Sequence, residues 1–184
     1  MIYICTHTKP AYEIIGSTII ANTKSMLPED YGHIRGIDLV SKMNDLPEEI
    51  GIFQQRRYIP IYSIPANYDI VVPFNFCICN IRDQFARCHD IQYLDIAEKI
   101  IDDEQFSKYI RIDNNYECYW DNMFIMRRQH FLDYSSFLLG VLKKKDEIIG
   151  PMQNRWLAER IGSFWIWKHI ERSKILIGDR IQID

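Results

Sequence analysis

Short β-branched apolar runs alternate with stretches whose apolar residues recur at helical spacing, from one end of this chain to the other. That alternation restricts the fold more than any other feature, because it calls for a parallel or mixed sheet with helices packed on it. Residues 2–5 (Ile-Tyr-Ile-Cys) predict a buried first strand, followed by a polar loop over Thr6–Pro10 that carries His7 and Lys9. The stretch from Tyr12 to about Thr23 is apolar and reads as helix despite its β-branched content. His33–Asn44 reads as helix, ended by Pro47, and Ile50–Phe53 and Asp69–Val72 read as strands. Ile91, Leu94, Ala97, Ile100 and Ile101 mark an amphipathic helix with Asp90 as its N-cap. Tyr119–Met126 reads as a central strand, His130–Lys144 as a helix with Lys143, Lys144 and Lys145 at its solvated end, and Gly150-Pro151 as a break. A last helix runs to about His169, and Lys174–Ile177 forms a closing strand. The reading is one α/β domain over 1–184, with ligands expected beyond the carboxyl ends of the strands.

Composition narrows the function classes. The formal net charge of −3 gives no support for nucleic-acid binding, which needs a concentrated basic surface. The five cysteines, an odd number without a secretory leader, read as reduced thiols in a cytoplasmic protein. Cys77 and Cys79 lack a second pair at zinc-finger spacing, and His7, His33, His89, His130 and His169 are widely scattered. No metal or other cofactor is therefore expected, and no D-x-D triplet, P-loop or G-x-G-x-x-G occurs. No run of about 20 apolar residues spans a bilayer.

Three segments carry polar groups where chemistry belongs. Gln54-Gln55-Arg56-Arg57-Tyr58 directly follows an apolar strand, and an arginine fork suits phosphate oxygens. If strand geometry continues, Arg56 and Arg57 point to opposite faces, so one meets a ligand while the other pairs within the sheet. Asp121 and Asn122 interrupt an apolar strand and need specific partners, either local backbone or a pocket. Arg155 and Glu159 lie four apart on a helix, which suits either an ordinary exposed ion pair or a carboxylate held by arginines as a general base.

Together these segments resemble the capsular-polysaccharide and O-antigen glycosyltransferase family long known as a domain of unknown function. The resemblance rests on Thr6-His7-Thr8-Lys9 after the first strand and on Ile50 to Tyr58, where that family shows a strand followed by His-Tyr-Arg-Arg-Tyr and this chain has Gln54-Gln55 for His-Tyr. It rests also on Asn122 to Met126 ahead of a basic pair and an aromatic helix, and on Gln153 and Arg155 ahead of Ala158-Glu159-Arg160. It implies a GT-A-like (Rossmann-like) mixed, mostly parallel sheet flanked by helices. The implied activity is hexosyl transfer from a nucleotide-sugar donor, UDP-linked, to a glycan or lipid-linked glycan acceptor, in the cytoplasm or at the inner face of a membrane; the arginines at the strand end, with no D-x-D, fit a metal-independent variant. Under it, Arg56, Arg57, His7 and Lys9 bind the donor diphosphate. Asn122, Arg155, Arg160 and Tyr58 bind sugar or acceptor. Glu159 is the general base, with Asp121 as its alternative. A non-catalytic α/β scaffold derived from the same fold remains the other reading.

Overall fold

The computed structural model describes residues 1–6, 12, 14–21, 24–74, 76–77, 80–112, 116–117, 119 and 121–183. Strands β1 (Ile2–Thr6), β2 (Thr18–Ala21), β3 (Glu49–Gln54), β4 (Arg57–Tyr58), β5 (Ile70–Pro73), β6 (Phe76–Cys77), β7 (Tyr116–Glu117), β8 (Phe124–Arg127), β9 (Ile175–Gly178) and β10 (Ile181–Gln182) alternate with six α-helices among these residues. The helices are α1 (Ile34–Ser41), α2 (Ile81–Cys88), α3 (Gln92–Ile101), α4 (Glu104–Tyr109), α5 (Arg128–Ile149) and α6 (Asn154–His169).

The main sheet is mixed and mostly parallel. β2, β1 and β3 run side by side in parallel, β8 lies antiparallel between β3 and β5, and β9 is parallel to β5. β8 alone in that row opposes the others, so the carboxyl ends of β1, β3, β5 and β9 face the same end of the sheet. Two shorter strands add to the sheet at the carboxyl end of β3: β4 pairs with Gln54, and β10 pairs with β4. β6 and β7 form a separate small ladder.

Strand alternation sorts the core into two clusters. Tyr3, Cys5, Ile50, Ile52, Phe124 and Met126 point to the face that receives the helices, with α5 packed against α1, α3, α6 and β3. Ile2, Ile4, Phe53, Val71 and Ile125 point the other way, into a smaller cluster closed by Tyr12, Tyr58, Ile59, Ile61 and Ile64. Gly51 makes the close approach of β3 to β1 possible, since a Cβ there would lie 2.3 Å from the Ile2 Cδ1. Gly162 does the same for α6 and α5, where a Cβ would lie 2.4 Å from the Tyr134 hydroxyl.

Several expectations change. Thr18–Ala21 is a strand rather than part of a helix, in keeping with the β-branched Thr18, Ile19 and Ile20. The Asp121–Asn122 pair does not interrupt a strand. It forms the turn before β8, with φ of 71° and 48°, a left-handed conformation that Asp and Asn tolerate best among side-chain-bearing residues. Helices α2 and α4 and strand β10 carry too few periodic positions to stand out in the sequence. Helix α5 continues past the lysine run to Ile149, and Lys145 is fully buried rather than solvated. Its ammonium meets the carbonyls of Gly150 (2.5 Å) and Met152 (3.1 Å) and the Asp146 carboxylate (2.9 Å). Asp90 still accepts from the Gln92 amide at 3.1 Å, although α3 starts one residue later than expected.

Candidate functional site

A cavity of about 450 Å³ opens at the carboxyl ends of β1 and β3, lined from the sheet by Cys5, Gln54, Gln55, Arg56 and Arg57. Arg155, Trp156 and Glu159 enter from α6, Gly32 and His33 from the turn before α1, and Gln182 from β10. The position is the one this class of sheet reserves for ligands.

The tandem arginines do not diverge. β3 ends at Gln54, the chain turns over Gln55 and Arg56, and β4 starts at Arg57, with Gln54 and Arg57 paired across the hairpin. The turn cancels strand alternation, so both arginines line the same cavity. Tyr12 closes the hairpin from the opposite face, donating from its hydroxyl to the carbonyls of Gln54 (2.6 Å) and Arg57 (2.9 Å).

Behind Arg57 stands a buried carboxylate. Asp121 Oδ1 accepts from Arg57 Nη1 at 2.7 Å, and Oδ2 accepts from Arg180 Nη1 at 2.9 Å. The Gln54 side-chain amide donates to the Asp121 carbonyl. With both carboxylate oxygens engaged by guanidinium, Asp121 supports the cavity wall rather than forming part of it. Its neighbour Asn122 accepts from the Tyr134 hydroxyl at 3.0 Å, and its amide nitrogen lies 3.1 Å from His33 Nε2, which fixes the imidazole at the cavity rim.

Glu159 enters the cavity from α6 with its side chain only 16% exposed, and Arg160 Nη1 donates to its Oε2 at 2.7 Å. Burial pushes its carboxyl up to about 7; Arg160 and Arg57 oppose that rise and Asp121 adds to it. A carboxylate poised near neutrality in a cleft is suited to accepting a proton. Cys5, by contrast, is no nucleophile: burial pushes its thiol up to about 12.

The remaining expected site residues separate. Arg155 does not pair with Glu159. Its guanidinium carbon sits 3.8 Å from the centre of the Trp156 ring, and the first turn of α6 places both at the rim. Arg160 is buried against α2, donating to the Trp156 carbonyl (2.9 Å) and to Gln84 Oε1 (2.7 Å), so it holds Glu159 from behind instead of facing sugar or acceptor. Tyr58 packs against Tyr12 with ring centres 4.8 Å apart and the rings tilted by 35°, in the smaller cluster on the other face of the sheet from the cavity. His7 and Lys9 lie outside the described residues.

Sequence reasoning missed Gly32, His33, Trp156, Arg180 and Gln182. Nothing local marks Arg180, whose carboxylate partner lies 59 residues away in sequence. Gly32 has a weak signal, a glycine after an acidic turn. Its φ of 51° and the 3.4 Å from a would-be Cβ to Arg155 Cβ explain why glycine suits the position.

The same arrangement of sheet and helices occurs in a solved protein. The apo structure of the bifunctional glycosyltransferase WbbM superposes with a TM-score of 0.80 at 16% identity, covering 100% of this chain and 45% of that one. The chain thus spans less than half the length of that protein, and at this identity the likeness is one of fold. No curated protein matches the chain. A family model, Domain of unknown function (DUF4422), matches residues 52–164, from inside β3 through most of α6, and so takes in Arg56, Arg57, Asp121 and Glu159. By that match over more than half its length, the chain belongs to the DUF4422 family.

Proposed function

We propose that this chain is a glycosyltransferase that moves a hexosyl group from a UDP-linked donor to a glycan or lipid-linked glycan acceptor, without a divalent cation. One observation carries the reading: both arginines of the tandem pair and a carboxyl poised near pH 7 open into one cavity at the carboxyl ends of β1 and β3. The donor diphosphate lies against Arg56, Arg57 and Arg155, whose donors match its oxygens. As the bond from the sugar's anomeric carbon to the phosphate oxygen breaks, the charge left on UDP meets fixed guanidinium groups. The acceptor oxygen bonds to the anomeric carbon, and its proton passes to Glu159, which Arg160 orients. This route inverts the anomeric centre. His33, held by Asn122, contacts the sugar or acceptor at the rim. The likeness in fold to a glycosyltransferase supports the reaction class.

No helix among the described residues is long and apolar enough to cross a membrane. The reading places the work in the cytoplasm, where a lipid-linked acceptor requires contact with the membrane surface, and in surface-polysaccharide assembly such as capsule or O-antigen.

Calorimetry with UDP, with and without manganese, tests the donor half. Binding that is the same in both buffers is the expected result; binding only with manganese removes the metal-independent mechanism. No binding in either favours the scaffold reading. Turnover of Arg57→Ala under saturating donor tests the second half, and an unchanged rate would remove Arg57 from the chemistry.

A further inference from the structure

We propose that Arg180 is a positioning residue of the anion site, acting through Asp121 on Arg57. The inference rests on the reading above, that the cavity receives a diphosphate, and names a residue outside the 52–164 span that the family model covers.

The two oxygens of the Asp121 carboxylate are divided between two arginines. A carboxylate facing a single arginine favours a two-bond fork, which engages both donors on one edge of the guanidinium. Here Asp121 Oδ2 is taken by Arg180, and Arg57 is left one bond, from Nη1 to Oδ1. Four of the five Arg57 N–H donors are not spent on Asp121, and the residue lines the cavity. Charge arithmetic points the same way. One carboxylate between two guanidiniums leaves the trio at +1, whereas an Asp121–Arg57 pair alone is neutral and offers an incoming phosphate no net attraction.

The backbone locks the arrangement. Strand β10 pairs antiparallel with β4, with Gln182 opposite Arg57 and Ile181 opposite Tyr58. The Ile183 amide donates to the Arg56 carbonyl at 2.9 Å. Arg180 is therefore tied to the hairpin that carries Arg56 and Arg57, one residue ahead of that ladder. Asp121 is pinned independently by its left-handed backbone and by the Gln54 side chain on its carbonyl. A carboxylate fixed in this way transmits the presence of Arg180 to Arg57.

The test is calorimetry with UDP in metal-free buffer on wild type, Arg180→Ala, Arg180→Lys, Asp121→Asn and the Asp121→Asn/Arg180→Ala double variant, with melting temperatures for each. Arg180→Ala is expected to raise the Kd about tenfold, the size of one charge-assisted hydrogen bond. It should also flatten the salt dependence of the Kd, a change that a purely structural role would not produce. Arg180→Lys should recover most of the affinity, and in the Asp121→Asn background the alanine should cost clearly less than it does in wild type. An Arg180→Ala Kd within twofold of wild type overturns the proposal. So does a full additional loss in the Asp121→Asn background, because Arg180 would then act on the ligand directly. Absence of UDP binding by wild type overturns the glycosyl-transfer reading and this inference with it. That result is distinguishable because it shows before any residue is changed.

Discussion

Two ionic clusters, each built on one buried charge, Lys145 at the end of α5 and Asp121 behind the cavity, use the same chemistry to opposite ends. Lys145 has three N–H donors and meets three acceptors, the carbonyls of Gly150 and Met152 and the Asp146 carboxylate. Asp146 in turn accepts from the Tyr31 hydroxyl (2.6 Å) and the Asn154 amide (2.9 Å). Every donor of the ammonium is used, so the cluster ties the end of α5 to the 29–31 turn and to the start of α6 and has nothing left to offer a ligand. Behind the cavity, two guanidiniums with five N–H donors each share the two oxygens of Asp121. Donors exceed acceptors there, and one of the two guanidiniums, that of Arg57, lines the cavity. Burial alone does not separate a structural ion pair from a functional one; the balance of donors against acceptors does.

If that distinction holds, changing the charged groups that line the cavity should damage turnover and spare stability, and breaking the α5 cluster should do the reverse. The largest effect is expected for Glu159→Gln, which removes the proton acceptor and keeps its shape. Its kcat should fall by about 10²–10⁴, the usual contribution of a positioned base, with unfolding in urea no easier than for wild type at pH 8. A kcat within a factor of three of wild type would remove Glu159 from the chemistry. Lys145→Ala should instead cost about 3–5 kcal/mol of unfolding free energy, because Asp146 and two carbonyls lose a buried partner. Lys145→Met should cost less, since it refills the volume. UDP affinity of folded Lys145→Met protein should stay within a few-fold of wild type; a loss as large as that of Arg57→Ala would erase the contrast between the clusters.

Gly162→Ala comes next. Its new methyl would meet the Tyr134 ring and hydroxyl, the group that holds Asn122 and through it His33. Overpacking of this kind costs about 1–3 kcal/mol. The same displacement should raise the KM for acceptor more than that for donor, since the arginine hairpin lies elsewhere in the cavity wall. Equal effects on both would mean that Asn122 and Asp121 move as one piece.

The framework was readable in the sequence where periodicity is strong and local. β1, β3, β5, α3, α5 and α6 fall within a few residues of the positions their apolar spacing marks. The end of α5 is not legible in the sequence, because a lysine run ordinarily means solvent. Only the returning chain at 150–152 supplies the carbonyls that make burial of Lys145 tolerable. The site was readable in part. Arg56, Arg57, Arg155 and Glu159 share the cavity, because motif position relative to strand and helix ends survives folding. The separation of Arg56 from Arg57 failed on a single turn that alternation could not foresee. Asp121 and Arg160 carry the right chemistry and stand behind the wall rather than in it, a distinction set by which partner reaches them across the fold. Arg180 had no local signal, because its meaning comes from Asp121 and β4 together.

The smallest expected effect concerns pH, and it separates the cavity carboxyl from the α5 cluster without altering a ligand. The Glu159 carboxyl titrates near 7 in the folded protein, above its usual value of 4.5. The folded state therefore binds a proton that the unfolded state has released between those two values, and stability falls as pH rises through that window. A rise of this size makes wild type roughly 2 kcal/mol less stable at pH 8 than at pH 5.5 from this group alone. Urea unfolding of wild type and Glu159→Gln at both values checks the sign. The difference between the two proteins should grow with pH, in favour of the glutamine, because an amide occupies the same buried position without a charge to desolvate. Lys145→Met should show the wild-type slope at a lower overall stability, since Glu159 is intact there. A Glu159→Gln protein that loses stability with pH as steeply as wild type would place the titrating group elsewhere, and the carboxylate over the cavity would then be an ordinary ionised partner of Arg160.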